Sequence, residues 1–102
     1  MKLAAIDIGS NAIRLLIKRI VIKNGVIKYQ KFLLLKVPLR LGEDVFKEGR
    51  ILADKSEKLL KVIKSFKLLM EVNEVAHYRA CATSAMREAK NGIEVRDFIN
   101  SQ

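Results

Sequence analysis

An apolar run near the N-terminus, broken once by a short polar turn, constrains the fold of this chain more than any other feature. Residues 3–6 and 12–17 are apolar apart from Arg14, and the turn between them carries Asp7, Gly9, Ser10 and Asn11. This pattern predicts a buried strand, a tight turn and a second strand. The glycine lets backbone approach a ligand without an intervening Cβ, and successive turn N–H groups form a concave anion site. We therefore predict a phosphate-handling loop, with Asp7 either holding hydrated Mg²⁺ or accepting N–H groups of the turn.

Three strands are predicted in the first 40 residues. They span residues 2–8, 13–22 and 26–37, and the Asn24-Gly25 pair is a strong signal for a tight hairpin turn. Pro38 ends the third strand because proline cannot donate to a ladder. Together the three strands are expected to form an antiparallel meander.

Helical patterns dominate the second half of the chain. Residues 39–52 are predicted to form a loop, and a helix then runs to about residue 72, with Asp54 as N-cap. Residues 75–82 read as a fourth strand, joined in parallel by a right-handed crossover that lays the long helix on one face of the sheet. Two short helices follow. The apolar stripe predicted for the long helix is Leu59, Ile63, Phe66 and Met70. The further capping positions predicted for the three helices are Glu57, Thr83, Ser84 and Asn91.

The charge of the chain is uneven. The formal net charge is +9, and the first 40 residues hold nine basic side chains against Asp7 alone. A polyanion partner explains this excess, and so do lysines that keep the solvent side of an antiparallel sheet soluble. Composition leaves both explanations open.

Length and cysteine content narrow the class of protein. A chain of 102 residues forms one domain at most, and its single cysteine excludes an internal disulfide and fits a reducing, cytoplasmic compartment. Asp7 interrupts the N-terminal apolar run before it reaches the length of a signal sequence, and no stretch has the length of a membrane-spanning helix.

Three segments resemble, in order, the motifs of the exopolyphosphatase/guanosine pentaphosphate phosphohydrolase (Ppx/GppA) family. They are residues 7–15, residues 40–52 with Arg40-Leu41-Gly42-Glu43, and residues 82–92. Three ordered motifs over nearly the whole chain are far more specific than one Asp-x-Gly turn, which sugar kinases share. The resemblance implies a ribonuclease-H-like α/β N-terminal lobe of the actin/hexokinase/Hsp70 superfamily. It also implies Mg²⁺-dependent removal of terminal phosphate from inorganic polyphosphate or guanosine pentaphosphate.

The resemblance also implies which residues handle phosphate. In the third motif, the positive N-terminus of a helix, two hydroxyls and a guanidinium converge on one spot. Arg14 points either toward the cleft or outward, and the second motif lies either along a substrate channel or in solvent. The expected phosphate-binding residues are Gly9, Ser10, Asn11, Thr83, Ser84 and Arg87; the expected channel residues are Arg14, Arg40 and Glu43; Asp7 is the expected Mg²⁺ ligand, through water.

By the same resemblance, the general base is a glutamate expected soon after the third motif, beyond Gln102, and a second phosphate loop is expected in a second lobe; the 102 residues contain neither. Residues 1–102 are then part of an N-terminal lobe, expected to be inactive alone. Apolar surface that its helices leave uncovered is expected to cause dimerisation or aggregation.

Two other functions compete with this interpretation. A kinase of the same superfamily shares the first motif, but the run from Thr83 to Arg87 argues against it. A small basic nucleic-acid-binding module would account for the charge. Against it, the chain has two tyrosines, four phenylalanines and no tryptophan, and surface aromatics are what such modules need.

Overall fold

The computed structural model describes residues 1–82 and 89–100, and its strands form one mixed sheet. The order across the sheet is third, second, first, fourth strand; the first three are antiparallel, and the fourth is parallel to the first. The predicted meander followed by a parallel strand is confirmed. The strands are β1 (Lys2–Ile8), β2 (Ala12–Lys23), β3 (Val26–Pro38) and β4 (His77–Ala82), and the helices are α1 (Leu41–Glu48), α2 (Ala53–Val72) and α3 (Gly92–Asn100).

Strands β2 and β3 form a hairpin that extends beyond the rest of the sheet. Asn24 and Gly25 have φ angles of 53° and 75°, as a tight turn between twisted strands requires. Pairing of β1 with β2 ends at Arg19, whereas pairing of β2 with β3 continues to Lys23. Ile20 still donates its N–H to the carbonyl of Met1 at 2.7 Å. Residues 21–28 therefore project as a two-stranded ribbon, and the molecule measures 53 × 23 × 19 Å.

The core lies between α2 and one face of the sheet, which we call the inner face. Its main members are Ile6, Ile13, Leu15 and Ile17 from the sheet and Leu59, Phe66 and Met70 from α2. The helical stripe predicted from sequence is thus confirmed, with Ile63 only partly buried at its margin. Burying one large apolar side chain contributes about 1.5–3 kcal/mol, so this stripe holds α2 on the sheet.

The loop predicted for residues 39–52 is wrong, because Leu41–Glu48 is a helix. Leu41 is fully buried, and Gly49 (φ 72°) donates its N–H to the carbonyl of Val45 at 2.9 Å. A left-handed glycine just after the last turn is a helix-ending signal, which the sequence interpretation took for loop composition. Arg40, before the helix, is also left-handed, at φ 55°.

The cap predicted for α2 is wrong. Helix α2 begins at Ala53 with Leu52 at the N-cap and no side-chain cap, so Asp54 lies inside the first turn, where its charge favours the helix dipole. Asn91 lies directly before Gly92, the first residue of α3, which is the position predicted for its cap. The side-chain amide of Asn91 accepts the N–H of Ile51 at 2.8 Å and donates to the carbonyl of Ile51 at 2.7 Å.

The caps predicted at Thr83 and Ser84 lie outside the described residues. Strand β4 begins at His77, two residues later than predicted. None of the helices in the described ranges is long and apolar enough to cross a membrane.

Candidate functional site

The polar turn predicted to handle phosphate lies between β1 and β2. The N–H of Gly9 donates to the carbonyl of Ala12 at 3.0 Å, which closes the turn tightly. Gly9 and Ser10 are partly buried and Asn11 is exposed. Because phosphate binding is the prediction for residues 9–11, we call them the phosphate loop.

The phosphate loop is held by the start of α1. The carbonyl of Asn11 accepts the N–H groups of Leu39 at 3.1 Å and Arg40 at 3.0 Å, and the carbonyl of Ser10 accepts that of Gly42 at 2.8 Å. A Cβ on Gly42 would lie 3.1 Å from the Cβ of Ser10 and 3.3 Å from its carbonyl oxygen. Glycine therefore permits this approach, and the first and second sequence motifs form one structural unit.

Charged residues extend from the loop across the opposite face of the sheet, which we call the outer face. The register pairs Asp7 with Arg14 and Arg14 with Lys36. An Arg14 Nη1 lies 3.7 Å from an Asp7 Oδ2, and the side chains are 51% and 40% exposed. Arg14 therefore faces solvent beside Asp7. Sequence reasoning did not single out Lys36, whose place in this row follows from strand register alone.

An open cleft of about 410 Å³ adjoins the phosphate loop. It is lined by Asn11, Ala12, Lys36, Pro38, Arg40 and Glu43. Arg40 and Glu43 form an exposed pair at 3.8 Å. Two of the three residues expected along a substrate channel, Arg40 and Glu43, therefore line the same cleft as Asn11, and Arg14 does not.

The cleft wall is supported by a buried carboxylate that the sequence analysis missed. Asp44 is only 7% exposed; it accepts the N–H of Leu52 at 3.1 Å and lies 3.1 Å from the Lys55 ammonium. Lys55 also donates to the carbonyl of Arg40 at 2.8 Å. These contacts fasten the start of α1 to the start of α2.

The third motif starts next to the phosphate loop. Ala82, the residue before Thr83, pairs with Ile8, the residue before Gly9. Both motifs therefore follow the carboxyl ends of adjacent parallel strands, where open α/β sheets bind ligands. Thr83, Ser84 and Arg87 themselves lie outside the described residues.

Asp7 is the residue beside the phosphate loop whose chemistry fits the Mg²⁺ that the resemblance implies. Across the described ranges, no group of three or more His, Cys, Asp or Glu side chains is arranged to hold a metal ion. Mg²⁺ keeps several waters and takes one or two carboxylates together with phosphate oxygens. Asp7, partly exposed at the end of β1, matches that requirement.

Comparison with known proteins identifies relatives of this chain. Residues 20–101 match the model of the Ppx/GppA phosphatase family. A bifunctional 3-dehydroquinate synthase/phosphatase from Fusobacterium nucleatum is 32% identical over 91 residues, covering 86% of this chain and 14% of that protein.

Solved structures resemble the entire chain. The crystal structure of the Ppx/GppA family member of Aquifex aeolicus is 34% identical with a TM-score of 0.87, covering 100% of this chain and 32% of that one. An exopolyphosphatase from Cytophaga hutchinsonii is 28% identical with a TM-score of 0.87, covering 99% and 31%. This chain thus spans about a third of the length of these structures, and their likeness confirms the expected fold.

Proposed function

Because this chain belongs to the Ppx/GppA phosphatase family, we propose that it forms the phosphate-binding part of a phosphoanhydride hydrolase. The observation that carries the proposal is the convergence of the phosphate loop with three cations on one open edge of the sheet: Arg14, Lys36 and Arg40. The proposed substrate is inorganic polyphosphate or guanosine pentaphosphate, from which a terminal phosphate is removed. A crystallised exopolyphosphatase among the structural relatives supports this substrate class.

In this proposal the chain binds and orients the phosphates. Gly9, Ser10 and Asn11 contact phosphate oxygens through backbone and side-chain donors. Arg14 and Lys36 offset the negative charge of the substrate that enters the cleft. Asp7 would hold one water of a bound Mg²⁺, which would supply positive charge to neutralise the phosphate oxygens. Thr83, Ser84 and Arg87 are proposed to contact the same phosphate group, because their segment begins beside Ile8.

The base that activates the attacking water is proposed to lie outside residues 1–102. A general base must come within hydrogen-bond reach of that water. In this proposal Asp7 is assigned to a water of Mg²⁺, and Asp44 is buried against Lys55 and Leu52. Neither carboxylate fits that task.

Binding can be tested on the 102-residue chain by NMR titration with polyphosphate and Mg²⁺. The amide signals of the phosphate loop should shift, and Arg14→Gln should weaken binding several-fold. Arg96→Gln is the matched control, since Arg96 is an exposed arginine on α3. Shifts centred on the exposed lysines of α2 would contradict the proposal.

Salt and a second ligand refine the same titration. Exposed cations are screened within about 10 Å at 0.1 M salt, so affinity for polyphosphate should be weak and fall steeply as salt rises. Tight binding that persists at high salt would contradict an open cleft that forms only part of the binding site. Guanosine pentaphosphate titrated in parallel distinguishes the two substrates by the relative affinity.

A further inference from the structure

The projecting ribbon ends in an apolar tip that the described part of the chain leaves uncovered. Ile22 is 71% exposed, Ile27 is 58% exposed and Val26 is 55% exposed. Side chains of paired residues lie on the same face of a ribbon, and successive side chains alternate between its two faces. The register pairs Ile22 with Ile27 on one face and Val26 with Lys23 on the other. Exposed apolar residues that lie together mark an interaction surface.

Cations surround the apolar tip. Residues 18–31 hold five basic side chains and no acidic one. The guanidinium carbon of Arg19 already lies over the ring of Phe32, 5.0 Å from the ring centroid. The other four are exposed, and no carboxylate in the described ranges pairs with them: Lys18, Lys23, Lys28 and Lys31. A ligand that matches this surface therefore combines apolar groups with negative charge.

The placement of the apolar side chains favours a lipid surface over a protein partner. A protein partner packs against one face of a ribbon or adds a strand at its edge, and the opposite face stays in water. Because apolar side chains lie on both faces of the tip, such a partner would leave either Val26 or the Ile22–Ile27 pair exposed. A lipid surface that the tip enters end-on covers both faces at once.

Nucleic acid and a second copy of the chain fit the tip less well. The side chains of Ile22, Val26 and Ile27 have no hydrogen-bonding groups with which to contact phosphates or base edges. Two ribbons packed tip to tip would bring their own lysines together, and like charges directly opposed are destabilising. The apolar tip and the lysines together therefore favour anionic lipid.

The backbone of the ribbon limits how deeply it enters a membrane. A two-stranded ribbon has unpaired N–H and C=O groups along its edges, and such groups do not enter the hydrocarbon core. From Ile20, which still bonds to Met1, to the turn at Asn24 the ribbon extends about 14 Å. The polar layer on each side of a bilayer is about 5–8 Å thick, so the tip is long enough to cross it. The flexible stems of the lysines then let their ammonium groups reach back to the headgroups.

We propose that the projecting ribbon binds end-on to the surface of a membrane that contains anionic phospholipids. Ile22, Val26 and Ile27 enter the boundary between headgroups and acyl chains, and the four lysines contact the headgroup phosphates. Peripheral binding of this kind needs no membrane-spanning helix. Strand β2 separates the ribbon from the phosphate loop by about 35 Å, so the cleft stays open to solvent. The proposal is therefore independent of the proposed function.

Binding to vesicles is the first test. The chain should sediment with vesicles of phosphatidylglycerol mixed with phosphatidylcholine. Binding to vesicles of phosphatidylcholine alone should be at least about tenfold weaker, because each lysine near an anionic surface strengthens binding about fivefold. Added salt should weaken binding to the anionic vesicles. Equal binding to the two kinds of vesicle, or no binding to the anionic kind, would overturn the proposal.

A tryptophan reports whether the tip leaves water. The chain contains no tryptophan, so Ile27→Trp places a single indole at the tip. Its fluorescence emission should shift to shorter wavelength when anionic vesicles are added. Phe46→Trp is the matched control, since Phe46 is 91% exposed on α1 at the phosphate-loop end of the molecule, and its emission should not shift. Binding without a shift for Ile27→Trp would show adsorption by charge alone and would overturn the proposal.

A matched pair of double variants tests the apolar contribution. Ile22→Ser combined with Ile27→Ser should weaken binding to anionic vesicles at least about tenfold, because apolar area no longer leaves water. Leu68→Ser combined with Val72→Ser makes the same kind of change at exposed sites on α2 and should leave binding unchanged. Equal binding of the two double variants would contradict insertion of the tip.

A second matched pair tests the lysines. Lys23→Glu combined with Lys28→Glu should abolish binding, because carboxylates at the tip repel anionic headgroups. Lys61→Glu combined with Lys64→Glu changes the net charge equally at exposed sites on α2 and should keep most of the binding. Equal losses in the two variants would show adsorption by net charge, and the proposal would fail.

Two competing occupants are outcomes of the same variants. Sedimentation of the free chain should show a monomer. A dimer that Ile22→Ser with Ile27→Ser dissociates, and that Leu68→Ser with Val72→Ser preserves, would assign the tip to a second copy. Duplex DNA that binds more tightly than anionic vesicles, and is released by Lys23→Glu with Lys28→Glu, would assign the ribbon to nucleic acid. Either result would overturn the proposal.

Discussion

At the scale of single residues, the contact of Gly42 with Ser10 decides how closely α1 approaches the phosphate loop. Gly42→Ala adds a Cβ at 3.1 Å from the Ser10 Cβ. Alanine favours a helix over glycine by about 0.5–1 kcal/mol, but overpacking at a fixed contact costs about 1–3 kcal/mol. We expect a net loss of stability of about 1 kcal/mol, measured by urea unfolding. Ser10→Gly in the same chain should recover part of it, and an unchanged or raised stability of Gly42→Ala alone would show that the loop yields freely.

The buried carboxylate of Asp44 gives a second prediction at this scale. Asp44→Ala leaves the N–H of Leu52 and the ammonium of Lys55 without this acceptor. Lys55 is 18% exposed and keeps Glu43 at 3.8 Å, so the loss should be smaller than for a fully buried pair, about 2 kcal/mol. Asp54→Ala, which removes an exposed carboxylate in the first turn of α2, should cost less than about 1 kcal/mol. Thermal unfolding measures the stability lost in each variant. Equal losses of stability would contradict a structural role for Asp44.

Residues of this kind were the hardest to predict. The turn residues Asp7 to Asn11 stand out locally because glycine and polar side chains interrupt an apolar run. Asp44, Lys36 and Asn91 acquire their roles from partners distant in sequence or across strands, which periodicity does not report. Asn91 illustrates this well, since its two bonds reach Ile51, 40 residues away.

At the scale of elements, the strands were predictable and α1 was not. Apolar alternation and the Asn24-Gly25 turn identify β2 and β3 from local sequence alone. Helix α1 has eight residues, and two glycines border or enter it, so its local propensity is weak. What stabilises it is tertiary: Leu41 is fully buried, and Gly42 bonds to Ser10.

The projecting ribbon yields a prediction at the element scale. Residues 21–28 pair only within the hairpin, whereas residues 13–17 of β2 lie between β1 and β3. A lone two-stranded hairpin is marginally stable in water, so it opens without the rest of the sheet. Amides of the ribbon should exchange with deuterium at least about tenfold faster than those of residues 13–17. Uniform protection along β2, measured by NMR, would show that something stiffens the ribbon.

At the scale of the whole molecule, we expect the 102-residue chain to show no phosphatase turnover. The described carboxylates near the cleft are paired with cations, and the proposed base lies outside residues 1–102. A phosphate-release assay with polyphosphate and Mg²⁺ measures this directly. Sustained release that Asp7→Ala abolishes would refute the expectation and direct the search for a base to Glu43, Asp44 and Glu88.

The hydrogen bonds between the phosphate loop and α1 also orient the peptide dipoles of the loop. In a trans peptide the C=O and N–H bonds point in opposite directions. The carbonyls of Ser10 and Asn11 are turned toward the residues that lead into α1, so the N–H groups of Asn11 and Ala12 are turned away from them. Asn11 and Ala12 also line the cleft. The negative ends of these two peptide dipoles are therefore occupied by the protein itself, and in the proposed function their positive ends face the anion.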